Sequence, residues 1–240
     1  MMRLYTNQNL AVGEQITLSA ETSHRLQKVM RARPGDPLIL FNGRGGEYTA
    51  ELSALTKKTA TAIINAFIDC DRESPLAISL IQGISRGNRM DYTIQKSVEL
   101  GVQEIIPVAT KRSMVKLDAE RRENRHEHWH SVIIHACEQS GRTKIPELRL
   151  AMPLEDIATL INIKQSFFLD TQADTSLEQA RPPSGPSYLI AGPEGGFSDE
   201  ERDWIRQLGA SPIKLGPRIL RTETAALAAL SIMQQRWGDL

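Results

Sequence analysis

Two glycine loops, each beginning with Gly-Pro, lie in the last third of the sequence, each after an apolar run. The first runs from Gly192 to Phe197 (GPEGGF) and the second from Gly216 to Arg221 (GPRILR). Glycine lets a backbone approach a ligand closely, and amides at the start of a following helix can donate to oxygen or nitrogen acceptors. One such loop is equally typical of a tight structural turn. Two of them after strands favour a ligand site, because open α/β sheets bind ligands at the carboxyl ends of their strands.

Charged side chains flank the second loop. Arg218 and Arg221 lie within it and Lys214 lies just before it, with no acid before Glu223. Such a cluster can meet a phosphate or a developing negative charge. In the alternative interpretation, the two arginines pair with Glu194 or Glu223 and hold the loops together. No Gly-x-Gly-x-x-Gly follows a strand and no loop carries a P-loop lysine, so dinucleotide and nucleoside-triphosphate chemistry lack their usual support.

A second basic cluster lies near the N-terminus. Arg25, Lys28, Arg31 and Arg33, with His24 beside them, fall on one predicted helix and its exit, and no acid intervenes. The pattern is compatible with a face that tracks phosphates, although a charged helix face is more often only solvated. The same theme recurs at Arg86, Arg89, Lys111, Arg112 and Lys116.

The histidines and cysteines indicate neither a metal site nor a disulfide. His126 and His130 are one helical turn apart, but charged residues interleave them and no acidic or cysteine ligand stands at a recognised spacing. Cys70 and Cys137 are far apart, which fits a reducing cytoplasm. We expect Cys137 to be a core residue and not a nucleophile.

Length and composition predict a folded cytoplasmic protein. The chain has 240 residues, of which 40% are hydrophobic and 24% charged, close to globular averages. No apolar run approaches the ~20 residues of a membrane helix, and the first ten residues lack the apolar core of a signal peptide. Basic and acidic residues balance at 29 each, so any nucleic-acid binding must use local patches.

Short apolar runs separated by turn residues fill the chain up to Glu73 and predict a small β domain over residues 1–73. Its turns are marked by Pro34-Gly35-Asp36 and by Asn42-Gly43. One helix interrupts it, starting at Thr22-Ser23 and ending before Pro34. The helix repeats Leu26, Val29 and Met30 at helical spacing, and the apolar runs are Ile16 with Leu18, Leu38–Phe41, Tyr48–Leu52 and Ala60–Ile64.

Beyond a linker at Arg72–Pro75, strands alternate with helical patterns, which predicts a parallel α/β domain over residues 74–240. Ser198–Glu201 is a capping box that opens the helix after the first glycine loop. Ala225–Leu230 is apolar on nearly every face, so the last helix should be buried. Predicted strands are Leu76–Ile84, Ile105–Ala109, Ser166–Leu169, Tyr188–Ala191 and Pro212–Leu215, and other predicted helices are Met90–Leu100, Asp118–Ser140 and Leu154–Ile163.

Taken together, Gly192–Ser198 (GPEGGFS) and Leu215–Ala225 (LGPRILRTETA) resemble the two signature stretches of the RsmE family. Its members are small-subunit (16S) ribosomal RNA uridine-N3-methyltransferases in the SPOUT class of S-adenosylmethionine enzymes. The second string is far more restrictive than a glycine loop alone. Further matches lie at Asp71–Pro75, Gln95–Gly101, Val115–Asp118, Ala136–Arg142 and Arg236–Leu240, so the resemblance covers almost the whole chain.

The resemblance implies a small N-terminal PUA-like β-barrel domain that binds RNA, then a SPOUT α/β domain with a C-terminal trefoil knot. It implies that three loops hold S-adenosyl-L-methionine in the knot, the third of them after Leu169. It further implies a homodimer acting on 16S ribosomal RNA, in our expectation within the assembled small subunit, with no metal or membrane. The cofactor-binding residues are then Leu169, Gly192, Glu194, Gly195, Gly196, Leu215, Gly216, Ile219, Leu220 and Thr222. With the basic clusters, the RNA-binding residues are Arg25, Lys28, Arg31, Arg33, Arg86 and Arg89.

Methylation of uracil N3 in the decoding region of that RNA sets three chemical demands. The methyl donor must lie in line with N3, the N3 proton must leave, and charge on the uracil oxygens must be stabilised. We expect Arg218 or Arg221 to stabilise the charge and Glu223 to accept the proton. Two alternatives stay open: an RNA-binding ribosome-assembly factor without transfer activity, and a methyltransferase of this fold that acts on another nucleotide. The intact glycine loops argue against the first.

Overall fold

The computed structural model describes residues 1–56, 58–113, 118–160 and 165–240, which form two compact units. The first unit contains Met1–Glu73 and Cys137–Ile145, and the second contains Ser74–Ala136 and Pro146–Leu240. Within the described residues, every helix is too short or too polar to cross a lipid bilayer.

The first unit is built on a five-stranded sheet with the order β1-β3-β4-β5-β2. β1 and β3 are parallel and the other pairs are antiparallel. Alternation along β3 points Leu38 and Leu40 into a core that also contains Leu52 and Ile64. The sequence predicted every strand except β1, which lies before the first turn signal. The strands are β1 (Met2–Tyr5), β2 (Gln15–Thr17), β3 (Pro37–Phe41), β4 (Glu47–Leu55) and β5 (Ala60–Ile68).

The only helix that lies wholly within the described residues of this unit, α1 (Ala20–Lys28), begins before the predicted start at Thr22-Ser23. Ser19 is the N-cap, and its side-chain oxygen accepts the Thr22 N–H at 3.1 Å. Serine is a strong N-cap because this bond satisfies an amide that has no partner within the helix. The capping signal was therefore present in the sequence, one turn upstream of the predicted start.

The turn that ends α1 leaves two apolar residues of the predicted helix exposed. After the helix the Ala32 N–H donates to the Leu26 carbonyl at 2.9 Å, and Arg31 adopts a φ of +52°. This turn leaves Val29 73% exposed and Met30 37% exposed, while Leu26 is fully buried. The sequence predicted a helix that includes Val29 and Met30 at helical spacing with Leu26; this is wrong for its last turn, because α1 ends at Lys28.

Residues 137–145 belong to the first unit, although the sequence assigned them to the second domain. Arg3 donates to the backbone carbonyls of Cys137 at 2.7 Å and Arg142 at 2.8 Å. Arg142 and Glu73 form an ion pair in which both side chains are buried. Removing one partner of such a pair is costly because a buried charge is left unpaired. Contacts between distant parts of the chain assign residues 137–145 to the first unit, and no local sequence pattern predicts such contacts.

The second unit contains a parallel sheet with the order β12-β10-β11-β6-β7-β8, and β9 also pairs with β7. Every strand pairing in its described part is parallel. The strands are β6 (Ile78–Gly83), β7 (Glu104–Ala109), β8 (Glu147–Leu148), β9 (Met152–Pro153), β10 (Ser166–Leu169), β11 (Ser187–Ala191) and β12 (Ser211–Ile213). The helices are α2 (Asn88–Glu99), α3 (Ala119–Ser140), α4 (Ile157–Leu160), α5 (Asp199–Gln207) and α6 (Thr222–Trp237).

The core of the second unit joins strands and helices that are far apart in sequence. Ile81, Phe168 and Ile190 come from three neighbouring strands and pack in one cluster with Ile205 of α5. The predicted alternation of strands and helices is confirmed, because residues buried on both faces of a parallel sheet form readable apolar runs. β10, β11 and β12 are neighbours, so the loops after them open at the same edge of the sheet.

Two helix predictions need correction. The predicted helix from Leu154 to Ile163 is a 3₁₀ turn at Leu154–Asp156 followed by α4, and residues 161–163 lie outside the described part of the chain. α6 buries Leu230 and Met233 but leaves Ile232 38% exposed. Its apolar composition predicted burial on nearly every side, which is wrong for the side that carries Ile232.

Candidate active site

A cleft of 810 Å³ opens where β10, β11 and β12 end. Its volume lies in the range of small-molecule sites, about 300–1,000 Å³. The cleft brings together every residue to which the sequence assigned catalysis or cofactor binding, and Arg89 joins them. Those residues are Leu169, Gly192, Glu194, Gly195, Gly196, Leu215, Gly216, Arg218, Ile219, Leu220, Arg221, Thr222 and Glu223.

The first glycine loop needs its glycines for two different reasons. Gly196 has a φ of +63° and donates its N–H to the Pro193 carbonyl at 2.8 Å. A Cβ on Gly196 would meet no atom within 4 Å, so the space beside it is open. A Cβ on Gly195 would lie 3.0 Å from the Cβ of Arg112, and one on Gly192 would lie 3.2 Å from the Cα of Gly196. Conformation requires glycine at 196, and close packing favours it at 192 and 195.

The start of α5 is closed by the capping box that the sequence predicted. Ser198 accepts the Glu201 N–H at 3.2 Å, and its own N–H donates to Glu201 Oε2 at 2.8 Å. The other Glu201 oxygen accepts the Lys111 N–H at 2.7 Å. The amides of Ser198 and Glu201 are therefore engaged within the protein. The expectation that amides at this helix start donate to a ligand does not hold for these two.

A buried hydroxyl ties the two glycine loops together. Thr222 Oγ1 donates to the Gly192 carbonyl at 2.6 Å, and Gln82 Nε2 donates to Thr222 Oγ1 at 3.1 Å. Thr222 thus uses its hydroxyl to join the loops, whereas the resemblance assigned it to the cofactor. The sequence did not single out Gln82, a fully buried polar residue near the end of β6. Its polarity within an apolar strand was the available signal, because a buried amide needs hydrogen-bond partners.

An ion network joins α2, the first loop and α6. Arg89 Nη1 lies 2.9 Å from Glu194 Oε1, and Arg89 Nε lies 4.0 Å from Glu223 Oε1. The Arg86 N–H also donates to Glu194 Oε1, at 2.9 Å. Burial pushes the pKa of Glu194 upward, but hydrogen bonds from the backbone N–H groups of Arg86 and Glu194 and from Arg89 outweigh it and lower the pKa. Glu194 is an anion whose Oε1 is engaged by protein donors.

Glu223 differs from the other acids of the cleft. Its side chain is 15% exposed, and its Oε2 is buried with no hydrogen-bond partner among the described residues. Asp170, at the start of the third loop, pairs with Arg206 at 2.5 Å and accepts the Gln172 N–H at 3.0 Å. A buried carboxylate oxygen without a partner is costly, which makes it a candidate to face a ligand or a reacting group.

Arg218 and Arg221, the two arginines of the second loop, form no ion pair with an acidic side chain of the described residues. Both are exposed. The alternative that they pair with Glu194 or Glu223 is therefore wrong, because Arg89 takes that place. Arg112 also lines the cleft and donates to the Gly195 carbonyl at 3.1 Å.

The basic residues of the first unit differ in their ion pairing and exposure. Arg25 pairs with Glu138 at 2.8 Å and is only 22% exposed, so it is less available to a phosphate than the sequence suggested. Lys28, Arg31 and Arg33 are exposed, and within the described residues none of the three forms an ion pair. Lys116, the last member of the other basic group, lies outside the described residues.

The histidines and Cys137 take structural positions. The rings of His126 and His130 stack with centroids 6.3 Å apart, and His126 Nε2 lies 3.0 Å from the Leu148 carbonyl. Across the described ranges, no three His, Cys, Asp or Glu side chains gather as they would around a metal ion. Burial raises the pKa of the Cys137 thiol to about 12, which keeps it protonated and unreactive.

The chain matches two family models and a curated relative of nearly the same length. Residues 72–234 match an RNA methyltransferase domain and residues 18–65 match an RNA methyltransferase PUA domain. The ribosomal RNA small subunit methyltransferase E of Buchnera aphidicola (from Schizaphis graminum) is 34% identical, covering 99% of this chain and 97% of that protein.

Two solved structures superpose on almost the full length. The ribosomal RNA small subunit methyltransferase E of Neisseria gonorrhoeae, bound to S-adenosyl methionine, is 41% identical with a TM-score of 0.95 and covers 100% of this chain and 99% of that one. A Legionella pneumophila protein, solved in complex with bound SAM, is 40% identical with the same TM-score and the same coverage. This chain therefore belongs to the ribosomal RNA small subunit methyltransferase E family.

Proposed function

We propose that this protein transfers the methyl group of S-adenosylmethionine to N3 of a uridine in the decoding region of 16S ribosomal RNA. The observation that carries the proposal is the cleft at the ends of β10, β11 and β12. It gathers both glycine loops and, among the residues that the structure describes, two arginines without an ion pair and one carboxylate without a hydrogen bond. Relatives that are 40% and 41% identical over the full chain were solved with S-adenosylmethionine bound.

The residues of the cleft fit this cofactor. Open space lies beside Gly196 and Gly216, where a Cβ would meet no atom within 4 Å and where φ is +63° and +72°. Leu169, Leu215 and Leu220 add apolar lining, which suits an adenine ring and a methionine chain. When bound, S-adenosylmethionine supplies an electrophilic methyl group on a positively charged sulfur. Glu194 anchors the first loop through Arg89, so we assign the cofactor contacts to the glycine backbone and the leucines.

Glu223 is the residue to which we assign the N3 proton. Of the three acids that line the described cleft, it alone has a carboxylate with no hydrogen bond from the protein. The new bond from N3 to carbon forms as the sulfur–carbon bond breaks, and the proton passes to Glu223 directly or through water. Arg218 and Arg221 donate to the uracil oxygens where negative charge develops, a role that preorganised cations perform well in a cleft.

Ribosomal RNA is bound through cations at two places. In the first unit, whose residues 1–73 we infer to be a PUA-like RNA-binding domain, these are Lys28, Arg31 and Arg33. In the second unit, which falls within the proposed methyltransferase domain of residues 74–240, the exposed Arg86, Arg218 and Arg221 line the cleft or lie close to it. Phosphate contacts of this kind position an RNA without reading its sequence.

The quaternary state, the knot and the compartment belong to the same proposal. A homodimer is supported by the exposed apolar side of α6, where Ile232 is 38% exposed, and by Ile219, which is 88% exposed at the cleft. The C-terminal trefoil knot stays a prediction from the resemblance. We expect the substrate to be the assembled small subunit, because assembly completes the decoding region. We expect the protein to act in the cytoplasm.

Mapping of methylated nucleotides tests the function. Small ribosomal subunits from a strain that lacks this protein are incubated with it and with S-adenosylmethionine that carries a labelled methyl group, and the RNA is digested for mass spectrometry. We expect one labelled uridine, methylated at N3, and none in subunits incubated without the protein. Label on another nucleotide would support the alternative substrate. Cofactor binding without any transfer would contradict the proposed activity, and absence of both would favour the assembly factor.

A further inference from the structure

Arg89 lies where α2, the first glycine loop and the start of α6 meet, and the proposed reaction needs these three segments in a fixed arrangement. It is the second residue of α2, and its side chain is 46% exposed. Its guanidinium reaches Glu194 in the first glycine loop at 2.9 Å and Glu223 in the first turn of α6 at 4.0 Å. Because guanidinium is a rigid planar fork, one side chain constrains two carboxylates at once.

The contact with Glu194 fixes the loop whose backbone we assign to the cofactor. Glu194 Oε1 accepts hydrogen bonds from Arg89 Nη1 and from the Arg86 N–H, both at 2.9 Å. Its pKa is lowered, although burial alone would raise it, so the carboxylate stays charged. The loop is thus tied to α2 by an ionic contact at residue 194 and to α6 by the Thr222 hydroxyl at residue 192.

The contact with Glu223 acts on the proposed proton acceptor. Arg89 is the cation nearest to Glu223 among the ion pairs of the described residues, and it lies on the Oε1 side. Glu223 Oε2 has no hydrogen-bond partner in the described ranges of the chain. At 4.0 Å this contact is an ion pair without a hydrogen bond, and its attraction favours side-chain orientations of Glu223 that keep Oε1 towards Arg89 and Oε2 away from it.

We propose that Arg89 is a positioning residue that holds the cofactor loop through Glu194 and orients Glu223 for proton transfer, and this inference rests on the proposed function. The sequence placed Arg89 among RNA contacts. The geometry assigns it to the two carboxylates instead, and its effect on RNA binding should be small.

A set of three variants separates the two contacts. Arg89→Ala should raise the dissociation constant of S-adenosylmethionine about tenfold and also slow single-turnover transfer about tenfold or more at saturating cofactor and small subunits. Glu194→Gln should reproduce the loss of affinity while the transfer rate stays within about twofold of wild type. Glu223→Gln should reproduce the slow transfer, with a reduction of about 10² to 10⁴ for a lost general base, at normal cofactor affinity.

Double variants and a matched control make the test specific. Arg89→Ala added to Glu223→Gln should cause no further loss of rate, because neighbours that act as a unit are not additive. Arg89→Lys should recover affinity through one contact with Glu194 but not the rate. Lys96→Ala removes a cation and an ion pair with Glu99 from the same helix, away from the cleft, and should leave both quantities unchanged.

The outcomes distinguish this inference from the proposed function. If the wild type binds no S-adenosylmethionine and transfers no methyl group, the proposed function fails. If the wild type is active and Arg89→Ala matches it, or lowers only the melting temperature, Arg89 has no positioning role. Multiplicative losses in the Arg89→Ala, Glu223→Gln double variant would also overturn the inference.

Discussion

Replacement of Gly196 by alanine probes the cofactor cleft with a single methyl group. The Cβ would meet no protein atom within 4 Å, so the substitution creates no clash in the free protein. The remaining intrinsic cost is the φ of +63°, which is about 1–2 kcal/mol for a residue with a side chain. At about 2–4 °C per kcal/mol for a chain of this size, the melting temperature should fall by roughly 2–8 °C.

The effect on the ligand should exceed the effect on the fold. If the open space beside Gly196 receives S-adenosylmethionine, the added methyl group overpacks the contact at a cost of about 1–3 kcal/mol. Calorimetric titration should therefore show a dissociation constant raised at least about tenfold, which equals about 1.4 kcal/mol. Gly196→Val should weaken binding further, since it adds two more methyl groups in the same direction.

Gly13→Ala is the matched control for this experiment. Gly13 lies in the first unit with a φ of +89°, and a Cβ there also meets nothing within 4 Å. It carries the same kind of backbone strain away from the cleft, so it should lower the melting temperature and leave cofactor affinity unchanged. Equal affinity in Gly196→Ala and the wild type would show that no ligand occupies the space beside Gly196.

Three further predictions concern charged groups. Arg221→Ala should slow single-turnover transfer by about 10² to 10³ with little change in cofactor affinity, because an oriented cationic donor acts mainly on developing charge; a normal rate at saturating cofactor and RNA would refute this. Neutralising Lys28 and Arg31 with glutamine should reduce the salt dependence of RNA binding by about two charges' worth of slope, and an unchanged slope would make this face merely solvated. Two hydrogen bonds from Arg72 and one from Arg3 hold the pKa of Glu47 below its ordinary value of 4.5 despite its burial. The folded state should therefore lose stability as acid protonates Glu47 below about pH 4.5. Melting temperatures measured between about pH 5 and pH 3 should show this loss, and Glu47→Gln should flatten it.

Local patterns predicted most of the second unit. The capping box at Ser198–Glu201 marks the start of α5 because its bonds lie within four residues of each other. β11 and the first glycine loop follow from an apolar run that ends at Gly192, and β10 follows from the short apolar run that ends at Leu169. The sequence also put both loops at strand ends, where the structure places the cleft. Features whose signals lie within a few neighbouring residues were therefore predictable from the sequence.

Contacts between distant residues were not readable in this way. The Arg89 partners Glu194 and Glu223 lie more than a hundred residues along the chain, and nothing near Arg89 indicates them. Residues 137–145 join the first unit through Arg3 and Glu73, although they follow a helix that begins in the second. Pairing of this kind depends on which segments the fold brings together, and residue type alone does not specify it.

The two glutamates of the cleft show how the fold gives one residue type two roles. Both stand beside glycine-loop residues, and by sequence either could anchor a loop or accept a proton. The start of α2 supplies two donors to Glu194, so that carboxylate is held as an anion within the protein. Glu223 lies in the first turn of α6, where its one ionic contact within the described residues is Arg89 at 4.0 Å and its buried Oε2 has no hydrogen bond. The same arginine contacts both glutamates, at 2.9 Å for Glu194 and 4.0 Å for Glu223. These two distances distinguish Glu194, which anchors the loop, from Glu223, to which we assign the proton.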